Sequence, residues 1–141
     1  AAAVAVQGWY NLVERNKYEG ALRDVVTKHG LAFFSYYSLA NGFLTGKYRS
    51  QDDLGKSARG LRNVQYVGSP KGDKVLAALE DVAAQTGAAL AGVALAWTMA
   101  QAGVTAPIAS ATSLSQLDEI LGALTLELTP AQIAQLDAAS A

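Results

Sequence analysis

The chain has 141 residues, a formal net charge of −1, no cysteine and one histidine. That length is about one average domain and can bury a hydrophobic core, while a near-neutral charge without a basic stripe argues against a nucleic-acid partner. Without cysteine there is no disulfide framework and no thiolate nucleophile, and a single histidine argues against a zinc site.

The longest apolar segment and the amino terminus indicate where in the cell the protein is expected. The longest apolar stretch, residues 88–97, is too short to span a bilayer and is typical of a buried helix, so we expect no membrane partner. The amino-terminal AAAVAV has neither an initiator Met nor a basic region, which indicates a cut end rather than a signal peptide. We expect a cytoplasmic protein.

The first part of the chain alternates apolar runs with one helical pattern. Residues 3–7 form an apolar run that ends at the polar Gln7, which predicts a strand followed by a loop. Residues 16–29 carry apolar residues at helical spacing and precede Gly30, which predicts a helix with a glycine directly after its end. Residues 31–37 are apolar and aromatic, and they predict a short buried strand.

The residues after this second strand are of types that can bind an anion. Small and polar residues at 38–42 lead to a Gly-Lys-Tyr-Arg turn at 46–49. Backbone N–H groups and one ammonium can converge on a phosphate in such a loop. An ordinary loop with a solvated basic turn remains the alternative and is favoured on spacing alone, because glycine-rich loops are common. Residues 50–68 follow without periodicity, and a loop of this length is usually functional or mobile.

The rest of the chain predicts four helices and one strand. Ser69-Pro70 opens a helix that ends at Gly87, and an almost entirely apolar helix over residues 88–102 ends at Gly103. Residues 104–109 predict a strand, residues 114–124 an amphipathic helix, and a capping box at residues 129–132 a last short helix.

This alternation predicts an α/β fold of parallel β-α units in a single domain over residues 1–141. A parallel sheet is buried on both faces, and a three-stranded one has two open edges that can pair with another chain. We therefore expect either a part of a larger α/β fold or a piece that needs a partner to close.

Four motifs carry a family resemblance. They are VQGWYNLVER (residues 6–15), YYSLANGFLTGKYR (36–49), VALAWTMAQAGVTAPIASATSLSQLDEIL (93–121) and LELTPAQIAQLD (126–137). In this order and at these intervals they resemble the carboxyl-terminal half of an aldo-keto reductase. The resemblance implies a partial (β/α)8 TIM barrel, about three β-α units plus extra helices, in which these strands are the sixth, seventh and eighth. Phosphate sites in such barrels are often built by the loops after strands seven and eight.

The resemblance also implies an NADPH site. Gln7 corresponds to the glutamine that holds the nicotinamide carboxamide, and Tyr36 to the aromatic residue that stacks on the nicotinamide ring. Lys47 corresponds to a basic residue near the pyrophosphate, and Arg59 to one from the long loop that folds over the cofactor. The loop whose backbone wraps the pyrophosphate corresponds to Tyr37, Ser38, Leu39, Ala40 and Asn41, where Tyr37 and Ser38 replace the usual Ser-Pro.

The adenosine end corresponds to residues after the last strand. Ser110, Thr112 and Gln116 match positions around the 2′-phosphate, where a helix amino terminus adds a favourable dipole, and Glu119 matches a carboxylate that contacts adenine. Ser110 stands where many members have Gly, and Ile120 where many have Asn.

The family transfers a hydride from nicotinamide C4 to a carbonyl, using an Asp, Tyr, Lys and His set from the amino-terminal half of the barrel. No catalytic residue is assigned here, since His29 precedes the second strand and is expected at the opposite barrel end, exposed at a helix end. The resemblance implies that the complete enzyme reduces an aldehyde or ketone substrate to an alcohol, with this chain as the cofactor-binding half, inactive alone. Two alternatives are a non-catalytic nucleotide-binding module and a half barrel that self-associates through its open edges or pairs with the missing half.

Overall fold

The computed structural model describes residues 2–141. Its regular elements in chain order are β1 (Ala5–Trp9), α1 (Ala21–Lys28), β2 (Ala32–Tyr36), α2 (Pro70–Thr86), α3 (Leu90–Met99), β3 (Ala106–Pro107), α4 (Leu114–Leu121) and α5 (Pro130–Ser140). Short 3-10 turns occupy Arg15–Lys17, Ala40–Thr45, Gln51–Lys56, Gly60–Asn63 and Gly122–Thr125.

The strands form one parallel sheet in the order β1-β2-β3, which confirms the predicted parallel β-α arrangement. Gln7 pairs with Phe34 and Trp9 with Tyr36, while Ser35 pairs with Pro107. β1 and β3 are the two edges of this sheet, so each has one side without a neighbouring strand in the described residues.

The two faces of the sheet differ. Gly8 and Phe33 face the helices, and a Cβ on Gly8 would lie only 2.7 Å from the Phe33 ring. Side chains alternate along a strand, so Gln7, Phe34 and Tyr36 share the opposite face. Gln7 is exposed there, and Phe34 and Tyr36 are half-buried.

An aromatic cluster fills the space between the sheet and the helices. The Tyr18 ring stacks on Phe33 at a centroid distance of 4.0 Å. The Tyr10 ring lies between Tyr18, at 4.9 Å, and Trp97 of α3, at 5.6 Å. All four side chains are almost fully buried, so they contribute a large apolar area to the core.

Local sequence determines most helix ends. The Ser69 hydroxyl accepts a hydrogen bond from the Gly72 N–H at the start of α2, and Gly87 ends that helix with a left-handed φ of 72°. Thr129 and Gln132 form the predicted capping box of α5. Both predicted helix starts are therefore confirmed.

Several predicted boundaries were wrong. The first strand, predicted over residues 3–7, extends to Trp9, and the helices predicted over residues 88–102 and 114–124 end at Met99 and Leu121. The helix predicted from residue 16 begins at Ala21, because Gly20 has a φ of 98° and breaks the pattern. The strand predicted over residues 104–109 is reduced to Ala106–Pro107, since Pro107 has no N–H for a ladder. Residues 50–68, predicted as one loop, contain the two turns Gln51–Lys56 and Gly60–Asn63.

Within residues 2–141 no single helix is long and apolar enough to cross a membrane. α2 and α3 reach that length and composition only when they are taken together across a bend of 97°.

Candidate functional site

Three loops meet at the carboxyl edge of the sheet: the β1 loop (residues 10–14), the β2 loop (residues 37–42) and the β3 loop (residues 108–113). The Tyr10 N–H donates to the Tyr36 carbonyl at 3.4 Å, and the Ile108 N–H donates to the Ser35 carbonyl at 2.7 Å. These bonds continue the ladder beyond the strands, so the β2 loop lies between the other two.

The β2 loop has an unusual backbone. Tyr37, Ala40 and Asn41 have φ values of 53°, 48° and 54°, and they are the non-glycine residues with positive φ among those described. Gly42 follows with a φ of 92°. Such left-handed conformations are costly for residues with a Cβ and concentrate at functional sites.

Side chains of neighbouring residues fix this backbone. The buried Ser38 hydroxyl donates to the Ser35 carbonyl at 2.9 Å and lies 2.9 Å from the Ser35 hydroxyl. The Asn11 side-chain amide donates to the Tyr37 carbonyl at 2.9 Å. The loop that sequence patterning associates with phosphate is therefore held in one conformation.

Aromatic rings border the loop. The Tyr37 ring meets Trp9 edge-on at 5.5 Å and Tyr36 edge-on at 5.2 Å. Tyr36 and Gln7 share the sheet face that points away from the helices. Gln7 precedes Trp9, the β1 residue that pairs with Tyr36, by two residues, so it lies further from the carboxyl edge. The Tyr36 ring can stack on a planar heteroaromatic ring, and the Gln7 amide offers a donor and an acceptor to an amide substituent on that ring.

Residues 50–68, called here the cover segment, fold against the β2 loop. The Asn63 amide donates to the Asn41 carbonyl at 3.3 Å, and an Arg62 guanidinium nitrogen lies 3.5 Å from the Tyr37 hydroxyl. The side-chain oxygens of Asn41 and Asn63 are buried without a hydrogen-bond partner in the described residues. The contact region therefore contains two acceptors able to receive a ligand or water donor.

Five basic side chains lie between residues 47 and 62, and one of them, Arg49, pairs with Glu80 at 2.6 Å. Lys47 is exposed, with its Nζ 4.9 Å from the centre of the Tyr48 ring, and Arg59 is exposed at the start of the turn Gly60–Asn63. Arg62, rather than Arg59, reaches the β2 loop.

The remaining one of these basic residues, Lys56, is paired within the cover segment. Its Nζ lies 2.7 Å from an Asp53 carboxylate oxygen. Hydrogen bonds from Lys56 and from two backbone N–H groups hold the pKa of Asp53 well below its usual range.

Polar groups surround the start of α4. The Thr112 N–H and hydroxyl donate to Gln116 Oε1 at 2.9 and 3.0 Å, and the Gln116 N–H donates to the capping hydroxyl of Ser113 at 3.2 Å. Ser110, Thr112, Gln116 and Glu119 are all exposed. A helix amino terminus flanked by hydroxyl and amide groups favours an anion.

The structure thus groups the predicted residues in three places along one edge. Gln7 and Tyr36 share a sheet face, residues 37–41 form the loop beside them, and Ser110, Thr112, Gln116 and Glu119 lie on or after the adjacent β3 loop. His29 is exposed just after α1, at the opposite end of β2, as predicted.

Sequence reasoning missed Asn11, Arg62 and Asn63. Asn11 had a local signal, because an asparagine between apolar residues often forms a side-chain turn with the following backbone. Arg62 and Asn63 lie in a segment without periodicity, and only the fold brings them to the β2 loop.

Comparison with known proteins identifies the family of the chain. The model of the Aldo/keto reductase family matches residues 1–141. The structure superposes on a thermostable aldo-keto reductase, Tm1743, solved with the inhibitor epalrestat, with a TM-score of 0.67 and 22% identity, covering 94% of this chain and 38% of that one. The chain belongs to the aldo/keto reductase family, and its three-stranded fold is a partial TIM barrel.

Curated relatives extend the comparison. Protein tas of Escherichia coli is 32% identical over 141 residues, covering 96% of this chain and 39% of its own length. L-glyceraldehyde 3-phosphate reductase of Escherichia coli is 31% identical, covering 91% and 39%. A probable voltage-gated potassium channel subunit beta of Arabidopsis thaliana is 31% identical, covering 86% and 38%. The chain therefore spans about two fifths of the length of these relatives.

Proposed function

We propose that this chain is the NADPH-binding part of an aldo-keto reductase and that the complete protein reduces aldehydes or ketones to alcohols. The observation that supports this most directly is the left-handed β2 loop, which lies between the β1 and β3 loops at one sheet edge. The family is one of oxidoreductases, and several of the matching relatives are named reductases.

In this proposal the sheet face binds the nicotinamide. The Gln7 amide offers the donor and the acceptor that a carboxamide requires, and the Tyr36 ring covers one side of the nicotinamide ring. Since Gln7 and Tyr36 share a face, both can contact one planar group. Their role is to orient the ring so that its other side is presented to the carbonyl substrate.

The β2 loop binds the pyrophosphate. Successive N–H groups in left-handed and turn conformations form anion-binding concavities. In residues 37–42 the N–H groups of Ala40 and Gly42 donate inside the loop, at 2.8 and 2.9 Å, so the other N–H groups of the loop are those proposed for the pyrophosphate. Lys47 adds a cation behind the loop, and the cover segment carries Arg59 and Arg62, of which Arg62 contacts the loop. The backbone supplies this binding, so the replacement of the family's Ser-Pro by Tyr37 and Ser38 is compatible with it.

The start of α4 binds the adenosine 2′-phosphate. Gln116 directs its oxygen to Thr112 and so leaves its NH₂ group as a donor. Ser110 and the helix dipole add to the preference for an anion, and Glu119 contacts the adenine. This cluster is the basis for preferring NADPH over NADH.

NADPH supplies the hydride when it is bound. The residues of this chain bind it, orient its ring and hold its phosphates, while the acid that protonates the carbonyl oxygen is assigned to the amino-terminal half of the family's barrel.

Titration with NADPH tests the proposal. Trp9 lies at the carboxyl edge and contacts Tyr37, whereas Trp97 is fully buried in the core, so the Trp9→Phe variant separates the two emission signals. We expect saturable quenching of Trp9 by NADPH and weaker binding of NADH, with the mass in solution measured in the same samples. Absence of saturable binding to a folded chain contradicts the proposal.

A self-associating half barrel is the second candidate, and exposed apolar side chains favour it. Val4, Leu114 and Leu124 are 78%, 80% and 71% exposed. A groove beside the free edge of β3 is lined by Leu95, Met99, Ala106, Pro107, Leu121 and Leu124. In this candidate a second copy, or the missing half of the barrel, covers these surfaces.

The oligomeric state separates the two candidates. Self-association predicts a dimer that dissociates only on unfolding and that Leu124→Glu converts to a monomer, while Val25→Glu, on α1, leaves it dimeric. A monomer that binds NADPH excludes this candidate.

A further inference from the structure

Asn11 is a buried side chain whose amide makes three hydrogen bonds to the backbone. It is 0% exposed. Its oxygen accepts hydrogen bonds from the Val13 and Glu14 N–H groups at 2.9 and 3.0 Å, and its nitrogen donates to the Tyr37 carbonyl at 2.9 Å. These three bonds fix the orientation of the Asn11 amide. If the amide were flipped, its NH₂ group would meet the two backbone N–H donors and its oxygen would meet the Tyr37 carbonyl.

The acceptor of this bond is a residue in a costly conformation. Tyr37 has a φ of 53°, which a bulky residue adopts only where its surroundings impose it. Burial does not impose it, since Tyr37 remains 42% exposed. The Asn11 bond acts on the Tyr37 carbonyl itself, at the first residue after β2.

The same bond joins two loops beyond the end of the sheet. The last ladder pair of β1 and β2 is Trp9 with Tyr36, and Asn11 lies two residues further along. Its oxygen is anchored to the β1 loop by the two bonds to backbone N–H groups, so the nitrogen is presented at a fixed position. The Tyr37 carbonyl also accepts a hydrogen bond from the Ala40 N–H at 2.8 Å within the β2 loop, so the Asn11 amide is the donor that joins this carbonyl to the β1 loop.

We propose that Asn11 is a positioning residue of the dinucleotide site: its amide holds Tyr37 in the left-handed conformation and thereby sets the backbone of residues 37–42 for the pyrophosphate. This inference rests on the proposed function. It also explains how a loop with Tyr37 and Ser38 in place of Ser-Pro keeps one conformation, since Asn11 and the Ser35–Ser38 contact restrain it instead.

Two substitutions of Asn11 separate its donor from its acceptor. Asn11→Asp keeps the shape and the acceptor oxygen but replaces the donor with a carboxylate oxygen. Asn11→Ser keeps a hydroxyl acceptor for the backbone N–H groups, adds no charge and is too short to reach Tyr37. Asn16→Ser is the matched control, because Asn16 is exposed in the next turn.

The first readout needs no ligand. A residue with positive φ gives a strong NMR cross-peak between its own amide and alpha protons. We expect this cross-peak for residue 37 in the wild-type chain and in Asn16→Ser, and a weakened one in Asn11→Asp and Asn11→Ser. An unchanged cross-peak in both Asn11 variants overturns the inference, whether or not the chain binds NADPH.

The second readout compares two ligands. NADPH needs the β2 loop for its pyrophosphate, whereas 2′-AMP has no 5′-phosphate and relies on the β3 loop and α4. We expect Asn11→Ser to weaken NADPH binding about tenfold, the effect of one lost hydrogen bond of ordinary strength, and to leave 2′-AMP binding within about twofold. An equal loss for both ligands indicates a general structural defect and overturns the inference.

A second substitution provides the rescue. Glycine adopts positive φ without help, so Tyr37→Gly removes the need for the restraint. We expect the double variant Asn11→Ser, Tyr37→Gly to bind NADPH more tightly than Asn11→Ser alone, and a double variant that binds more weakly contradicts the inference. If the wild-type chain binds neither ligand, the proposed function fails, and the residue 37 cross-peak still decides the conformational role of Asn11.

Discussion

Tyr66 donates a hydrogen bond of 2.6 Å to a carboxylate oxygen of Glu14, and so joins the cover segment to the β1 loop. The Tyr66 ring also packs on Phe43 at 5.4 Å, just after the β2 loop. One side chain therefore links three parts of the chain that border the candidate site. Because the cover segment has little regular structure of its own, we expect this anchor to determine its position.

The first prediction concerns removal of this hydroxyl. Tyr66→Phe leaves the Glu14 carboxylate without its donor, and a hydrogen bond to a charged group contributes about 2 kcal/mol. We expect the free energy of unfolding at pH 7 to fall by about that amount, as measured by urea denaturation. Glu14→Gln keeps an acceptor at this position and is expected to lose less. A Tyr66→Phe chain as stable as the wild type would show that the bond contributes nothing.

The same bond predicts an alkaline effect. Burial, and then the hydrogen bond to Glu14, raises the pKa of Tyr66 to about 12 from its usual 10.0. A raised folded pKa means that the stabilisation is fully present below pH 10.0 and is lost as the pH rises towards 12. We expect the wild-type stability to fall more steeply across this range than that of Tyr66→Phe, and parallel curves would contradict the assignment.

The second prediction concerns Glu19 and acid. Arg15 donates to both Glu19 oxygens, at 2.8 and 3.0 Å, and the Tyr10 hydroxyl donates at 2.7 Å. Burial by itself would raise the pKa of Glu19, but these hydrogen bonds and the charge of Arg15 outweigh it, so the pKa is lowered from 4.5. The stabilisation is therefore present above pH 4.5 and is lost as the pH falls through the lower folded pKa.

We expect Glu19→Gln to reduce the free energy of unfolding by about 2 kcal/mol at pH 7, and by progressively less as the pH falls below 4.5. Glu80→Gln is the matched control: Glu80 pairs with Arg49 at 2.6 Å, but both side chains are about half exposed, at 50% and 44%. We expect less than about 1 kcal/mol there. Equal losses for the two variants at pH 7 would rule out a special role for the Glu19 cluster.

Much of the fold could be predicted because local residues determine it. The starts of α2 and α5 follow from Ser69 and from the Thr129 capping box, and the end of α2 follows from Gly87. The parallel order of the strands follows from their alternation with helices. Where tertiary contacts decide, prediction was wrong: Pro107 at a sheet edge shortens the last strand to two residues, although the surrounding sequence favours a longer one.

The candidate site also has residues whose position could be predicted from the sequence and residues whose position could not. Tyr36 and Ser110, at or after the carboxyl ends of strands, could be placed at the correct edge of the sheet from the strand pattern alone. Gln7 was predicted to end the first strand, but it lies in the middle of β1, which continues to Trp9. Asn63 could not, because its contact with Asn41 spans 22 residues across a segment without periodicity. Family resemblance supplied the ligand assignments, and chemical reasoning from the residues alone supplied only the position of a phosphate-suited loop.

The third prediction tests whether the cover segment determines cofactor affinity. A Cβ on Gly60 would overlap the Leu54 carbonyl oxygen, whereas a Cβ on Gly55 would meet nothing within 4 Å. We expect Gly60→Ala to displace the turn that carries Arg62 and Asn63 and to weaken NADPH binding by about tenfold, equivalent to 1.4 kcal/mol. Gly55→Ala should change binding by less than about twofold. If a fluorescence titration gives a similar NADPH affinity for both variants, the cover segment does not determine cofactor affinity.

The last prediction concerns the 2′-phosphate. Gln116→Glu keeps the oxygen that accepts from Thr112 and replaces the NH₂ group with a second, negatively charged oxygen. The charge repels a 2′-phosphate, which NADPH has and NADH lacks. We expect the ratio of NADPH to NADH affinity to fall by about tenfold at low ionic strength and by less at high salt, because salt screens exposed charges.

The matched control places the same charge away from the site. Gln85→Glu, on α2, also keeps an acceptor oxygen, which receives a hydrogen bond from Gln132 at 3.0 Å. It changes the net charge of the chain by the same amount, so it reports any long-range effect on a polyanionic ligand. We expect it to leave the ratio within about twofold. If both variants lower the ratio equally, the effect comes from overall charge, and the 2′-phosphate does not bind at the start of α4.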